Sequence, residues 1–456
     1  MRLSPEVSRA VLAAAFGLVL PHCKAKPKPA PAAPPASAQA SASAEPAPAP
    51  ERCHALGTGP SLTVGESGRP KAAEDDADAG SDDDDDTALP FATRVDSALL
   101  LGTEFAAGGL TTHGGKTEAF VALVPLDGKP GRRVGLGFVH GDVDPPLLAV
   151  RAGRVLAPVA DMDAGGGMLR LTELDAAADK AQGELSITGV DHDAGSAVAA
   201  SAAGALIVFG AKGKHGTVLK AQALDPSKLA VLGPAAELPG SADAESPALF
   251  VRSGGYWLAW IAQEALADAG ARRDARADGG VNDDDGPLVD AGPRVLMALP
   301  LDSAGKPVGS ARAVSGARVH VVGFAAAPLP DAALALTWRE EDAAPGVESG
   351  PPELARLSLD GAVQHAKVED EELSAGLPAL LPDTKEGGRV WMALDSVSEG
   401  TRVGLLAPTG LGLEALIGDR ELRGADLLAA GAGKLLVGRN RGRAVELDVI
   451  QCVLTP

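Results

Sequence analysis

Aromatic residues make up only 3% of the 456-residue chain, with a single Tyr and four Trp, although 45% of it is hydrophobic. The apolar positions are mostly Ala, Leu and Val, so any core is built from small aliphatic side chains. Three cysteines are present, with no paired spacing of a zinc site. The sequence has no Gly-x-Ser-x-Gly elbow, no phosphate-binding Gly loop and no His-Glu-x-x-His, so no motif supports hydrolase, nucleotide or zinc-protease chemistry. Positive charge is also scarce: 41 Lys and Arg against 61 Asp and Glu give a net charge of −20. A field of that sign repels nucleic acid and steers cations or basic partners toward the surface.

The apolar run near the N-terminus, Ala10 to Leu20, is too short for a permanent membrane span. With Arg2 and Arg9 before it, residues 1–23 read as an export signal. Cys23 follows Leu20-Pro21-His22, which resembles the lipobox of bacterial lipoproteins. Pro21 and His22 depart from the small residues that family carries there, and cleavage after Ala25 is the alternative that discards Cys23. The expected location is the periplasm or outer membrane, held by a lipid anchor alone, with a secreted protein as the alternative. Residues 24–52, dominated by Ala, Pro, Ser and Lys, read as an extended tether. Residues 65–87, ending in Asp82–Asp86, read as an acidic disordered segment. An exported protein seldom keeps an odd thiol, so with Cys23 set aside Cys53 and Cys452 are expected to pair, against the alternative of two buried free thiols. Closing a loop of roughly 400 residues contributes on the order of 5 kcal/mol in the chain-entropy model.

From about Ala88 one unit recurs: an apolar run, a turn, a second apolar run, a third run ending in Leu-Asp, and another turn. It is plainest from Ser246 to Gly316, where SPALFVRSGGYWLAWIA precedes RVLMALPLDSAGKP. Leu-Asp recurs at Asp127, Asp175, Asp225, Asp302, Asp360 and Asp448, mostly at intervals of about 50 residues. The longest interval holds an Asp/Ala/Gly/Arg-rich insertion, residues 268–292. Asp ahead of a turn Gly suits the first position of a type I turn, where its carboxylate caps a backbone amide. Trp257, Trp260, Trp338 and Trp391 fall on second strands, where large rings fill the space between stacked sheets.

A lone four-stranded sheet cannot bury both faces, but a ring of them can, and repeats of 40–50 residues with four short strands predict a β-propeller. The predicted fold is all-β, with seven four-stranded blades over residues 53–456; six or eight are compatible with the degenerate first copy. The last copy supplies only three strands, so His54 to Val64 is expected to add the missing outer strand and close the ring. At the level of architecture the chain resembles seven-bladed propeller lipoproteins of the bacterial envelope. The WD, kelch and Asp-box signatures are absent, and no narrower family is indicated.

In a propeller, second-to-third-strand turns and blade-to-blade loops emerge on one face. By that rule most acidic loops share one rim. Within it His140, Asp142, Asp144, Asp161, Asp163, Asp191, His192 and Asp193 lie around adjacent blades and form a candidate divalent-cation site, for Ca²⁺ or, given the imidazoles, Zn²⁺ or Mn²⁺. DMDAGGG and VDHDAGS begin as calcium loops do but lack the Glu twelve residues along. The function expected is a monomeric, non-catalytic binding or scaffolding module that meets a protein or envelope component through its acidic face. The alternative is a glycan-active or redox enzyme with its site at the channel mouth.

Overall fold

The structure, a computed structural model, describes residues 53–66, 93–163, 166–175, 181–214, 216–263, 293–316, 319–341, 352–368, 377–383, 388–396, 400–418 and 422–452. These belong to one compact unit, Glu51–Pro456. The other unit, Met1–Pro50, lies outside the described residues, and with it the predicted export signal and Cys23. The aspartate run 82–86 and the insertion 268–292 lie outside them too. Among the described residues no helix is long and apolar enough to cross a membrane.

The protein is an all-β propeller with four-stranded blades. Two short strands come first, β1 (Cys53–Ala55) and β2 (Leu62–Glu66). Antiparallel meanders follow: β3 (Thr93–Leu101), β4 (Glu104–His113), β5 (Lys116–Pro125), β6 (Arg132–Val139); β7 (Ala149–Arg151), β8 (Arg154–Asp163), β9 (Gly166–Asp175), β10 (Ala181–Thr188); β11 (Ser196–Ser201), β12 (Gly204–Lys212), β13 (Thr217–Leu224), β14 (Ala236–Glu237). Next come β15 (Ala244–Arg252), β16 (Gly255–Gln263), β17 (Arg294–Asp302), β18 (Arg312–Ala313); β19 (His320–Pro328), β20 (Leu334–Glu341), β21 (Glu353–Leu357), β22 (Val363–Lys367); β23 (Ala379–Asp383), β24 (Arg389–Ser396), β25 (Gly400–Leu406), β26 (Leu413–Gly418). The described residues end with β27 (Asp426–Gly431), β28 (Lys434–Arg441) and β29 (Arg443–Cys452). The β15 and β19 meanders are joined into one sheet by a single parallel bridge, Arg294 to His320. First strands stand side by side: β7 against β11, then β15, β19, β23, β27 and β3 in turn.

Burial explains the composition. In β5, Ala119 to Val124 are buried without a break, and so are Gly204 to Ala211 of β12. Strands covered on both faces read as continuous apolar runs. The outer β10 instead alternates between half-buried and exposed, having only one covered face. Small side chains let sheets approach: a Cβ on Gly108 would lie 2.1 Å from the Pro146 carbonyl oxygen, where the connection into the next sheet passes. All four Trp are at most 3% exposed, packed in the seams between sheets. The predicted turn caps form at Asp127, Asp225, Asp302 and Asp360, whose Oδ1 atoms accept backbone N–H bonds from Lys129, Ser227, Ala304 and Ala362. Asp448 differs because β29 runs on past it to Cys452; its carboxylate takes Arg439 Nη1 at 2.5 Å and Ser61 N at 3.1 Å.

That last contact belongs to the seam where the two ends of the described chain meet. β2 pairs with β29 over Arg443–Leu447, and β1 pairs with it over Ile450–Cys452. Cys53 and Cys452 face each other in register and are joined by a disulfide spanning 399 residues of sequence. Both are buried beside Trp391, Leu435 and Ile450.

Candidate ligand site at the channel mouth

First strands surround the propeller axis, and four of them carry a register irregularity: Val95/Ser97 in β3, Glu245/Ala248 in β15, Val321/Gly323 in β19 and Leu427/Ala429 in β27. A bulge turns an extra residue out of the ladder and re-aims its side chain, a device common beside functional sites. Here the extra residues Asp96, Ser246–Pro247 and Val322 line a cavity of 440 Å³ at one mouth of the channel.

The walls have two characters. On one side stand Asp96, with Asp142 and Asp144 from the connection after β6. On the other, Val322 and Leu377 are 39% and 54% exposed, beside Phe324. Arg94 approaches Asp142 at 3.8 Å and donates to the Val143 carbonyl, fixing the loop that carries both aspartates. Asp96 is open to water inside the cavity, but the walls hold its carboxyl above the ordinary range. Loss of hydration is the main cause, opposed by Arg94 and reinforced by the negative charges of Asp144 and Asp426. Such a site can hold a cation that also presents apolar surface, and Asp96 can keep a proton at a pH where a solvated aspartate has lost it.

The predicted metal residues are divided by the fold. Asp142, Asp144 and His192 line the cavity. Asp161 is buried and instead clasps the connection: its Oδ1 accepts the His140 backbone N–H at 3.1 Å and lies 2.9 Å from His140 Nδ1. Asp191 accepts the Thr217 hydroxyl at 2.6 Å. Asp193 lies in the 3₁₀ turn His192–Ala194, exposed, and the Asp163 side chain lies outside the described residues. Among the described residues no group of three or more His, Cys, Asp or Glu is placed to hold a metal ion. Asp161 and Asp191 are instead engaged with other segments of the chain, at His140 and Thr217.

Sequence reading passed over Asp96 and Asp426. Asp96 interrupts the apolar run TRVDSALLL, and an acid inside a first strand was the available signal. The partnership with Asp426 joins the two ends of the ring and has no local signature.

No protein-family model matches the sequence, and no curated protein matches it. Among solved structures the chain is similar to Kuenenia stuttgartiensis hydrazine synthase, at 12% identity over 77% of this chain and 94% of that one, with a TM-score of 0.48. It is also similar to polysaccharide lyase Uly1 (8% identity, 78% of this chain, 89% of that one, TM-score 0.49) and to Penicillium chrysogenum α-L-arabinanase (11%, 67%, 92%, 0.40). At these values the likenesses carry no argument about activity.

Proposed function

We propose that the protein is an extracytoplasmic, membrane-tethered propeller of seven blades that binds a cationic partner at its channel mouth without transforming it. The observation that carries this reading is the joint presence, in one cavity, of Asp96, Asp142 and Asp144 opposite exposed Val322 and Leu377. A basic side chain with an aliphatic stem, as on Lys or Arg of a protein partner, matches both walls. Support for seven comes from counting the eight-stranded sheet as two, given its single-bridge junction, and from the pairing of β1 and β2 beside β29. The export signal and Cys23 support an envelope location, and a disulfide is compatible with an oxidising compartment. Mass spectrometry of Cys23 in the membrane fraction checks the anchor. For the site, the test is calorimetric titration with Lys- and Arg-containing tripeptides against wild type and Asp144→Asn. Binding that weakens with salt and falls in the variant supports the reading; no binding, or equal binding to both, rejects it.

A second reading rests on Asp96 alone. A carboxyl held above its ordinary range in a cavity is a general-acid candidate, as a glycan-active enzyme would require. Turnover of a glycan panel that vanishes in Asp96→Asn would replace the first reading with this one.

A further inference from the structure

A second cavity, of 520 Å³, opens between the last sheet and the first, lined by the β4–β5 turn, the end of β6, β2 and the β28–β29 turn. These are second-to-third-strand turns and outer-strand ends, so it shares a face with the channel mouth. Its charge is the reverse of its surroundings. His113, Lys116, Arg133 and Arg443 line it, against Glu118 as the one carboxylate of the lining. That carboxylate is taken: Glu118 is paired with Arg133, whose guanidinium also lies 4.9 Å from the Phe120 ring centroid. Lys116 Nζ stands 5.7 Å from the ring centroid of Phe138, which is 57% exposed. No ion pair joins Lys116 or Arg443 to a carboxylate among the described residues. The cavity thus presents two cations in a chain whose net charge is −20. Thr112, hydrogen-bonded to Thr117 at 3.0 Å, adds a hydroxyl to the wall.

We infer that this seam cavity is a binding site for runs of carboxylates. Arg443 offers the planar fork that matches a carboxylate, Lys116 a mobile point charge, and Phe138 an apolar rim that lowers the local dielectric. The scale suits a short acidic peptide rather than a single ion. Two sources present that chemistry. One is an external acidic partner. The other is this chain's own run, Asp82 to Asp86, which lies in sequence between Gly65, a lining residue, and Thr93, whose hydroxyl bonds Thr111 at the cavity wall at 3.1 Å.

The test uses the full chain and a fluorescent penta-aspartate peptide, read by anisotropy. Four proteins are compared: wild type, a variant with Asp82 to Asp86 all changed to Asn, and each of these carrying Lys116→Gln with Arg443→Gln. The peptide is expected to bind the Asn variant, to weaken as salt rises, and to bind about tenfold more weakly once both cations are removed. Weaker binding to wild type than to the Asn variant identifies the chain's own run as a competitor. Equal binding to the two assigns the site to an external partner. No binding to the Asn variant, or binding indifferent to the two Gln substitutions while thermal melts remain unchanged, overturns the inference.

Discussion

Two cavities open on one face of this propeller, one at the axis and one at the seam. The axial cavity is lined by first strands and their incoming connections; it carries three aspartates against apolar residues. The seam cavity is lined by turns and outer-strand ends of the last and first sheets; it carries four basic residues against one paired glutamate. Their opposite charge teaches that net charge describes a propeller face poorly. Acidic connections supply the average, and local geometry decides which side chains are left without internal partners. Asp161 and Asp191 are spent on other segments, at His140 and Thr217, whereas Asp142 is almost wholly exposed.

The comparison breaks first at the seam, where one covalent link ties β1 to β29. Cys53→Ser with Cys452→Ser is expected to cost about 2–5 kcal/mol in urea denaturation. Hydrogen exchange should show β1 and β2 losing protection while β16 keeps it; an unchanged midpoint would contradict this role. An interior contact provides the next effect. Asp383 is fully buried and its two oxygens accept Ala432 N and Gly433 N, each at 3.0 Å, tying β23 to the β27–β28 turn. Asp383→Ala is expected to cost about 1–3 kcal/mol by stranding those donors, measured by the same denaturation.

At the axis the expected effect is on pH dependence. Asp96 is raised in the folded state, so between its unfolded value, about 3.9, and its folded value the native state holds more protons than the unfolded chain. Its contribution therefore favours the native state at low pH and is lost as pH rises through the folded value. Asp96→Asn should flatten that part of the stability profile, and Asp144→Asn should lower the Asp96 value seen by NMR titration. A profile identical to wild type would remove the electrostatic account of the channel mouth. The smallest effect sharpens the contrast between holding and binding. Asp142→Asn at the axis and Arg443→Gln at the seam should each change stability by less than about 0.5 kcal/mol. A larger loss at either would make that residue structural.

Much of this was legible in the chain. Repeated apolar runs with Leu-Asp turns give the strands, because burial on both faces and an aspartate cap leave local traces at Asp127, Asp225, Asp302 and Asp360. Parity singled out Cys53 and Cys452, and their disulfide joins strands in register. The candidate metal cluster depends on more than local reading. Adjacent loops placed eight residues in one neighbourhood, but whether a carboxylate faces a cavity or its own backbone depends on contacts such as Asp161 with His140.

Alternation, turn chemistry and cysteine parity thus determined an all-β repeat, its core of small aliphatic residues and the covalent link between its ends. These are short-range consequences of burial and backbone geometry, so they can be read a few residues at a time. Closure of the ring decided the rest. It sets Asp96 in the field of Asp426, and it brings Lys116 and Arg443 to one cavity from opposite ends of the fold. Electrostatic neighbourhood depends on distance in space, and a ring makes neighbours of residues that the sequence holds farthest apart.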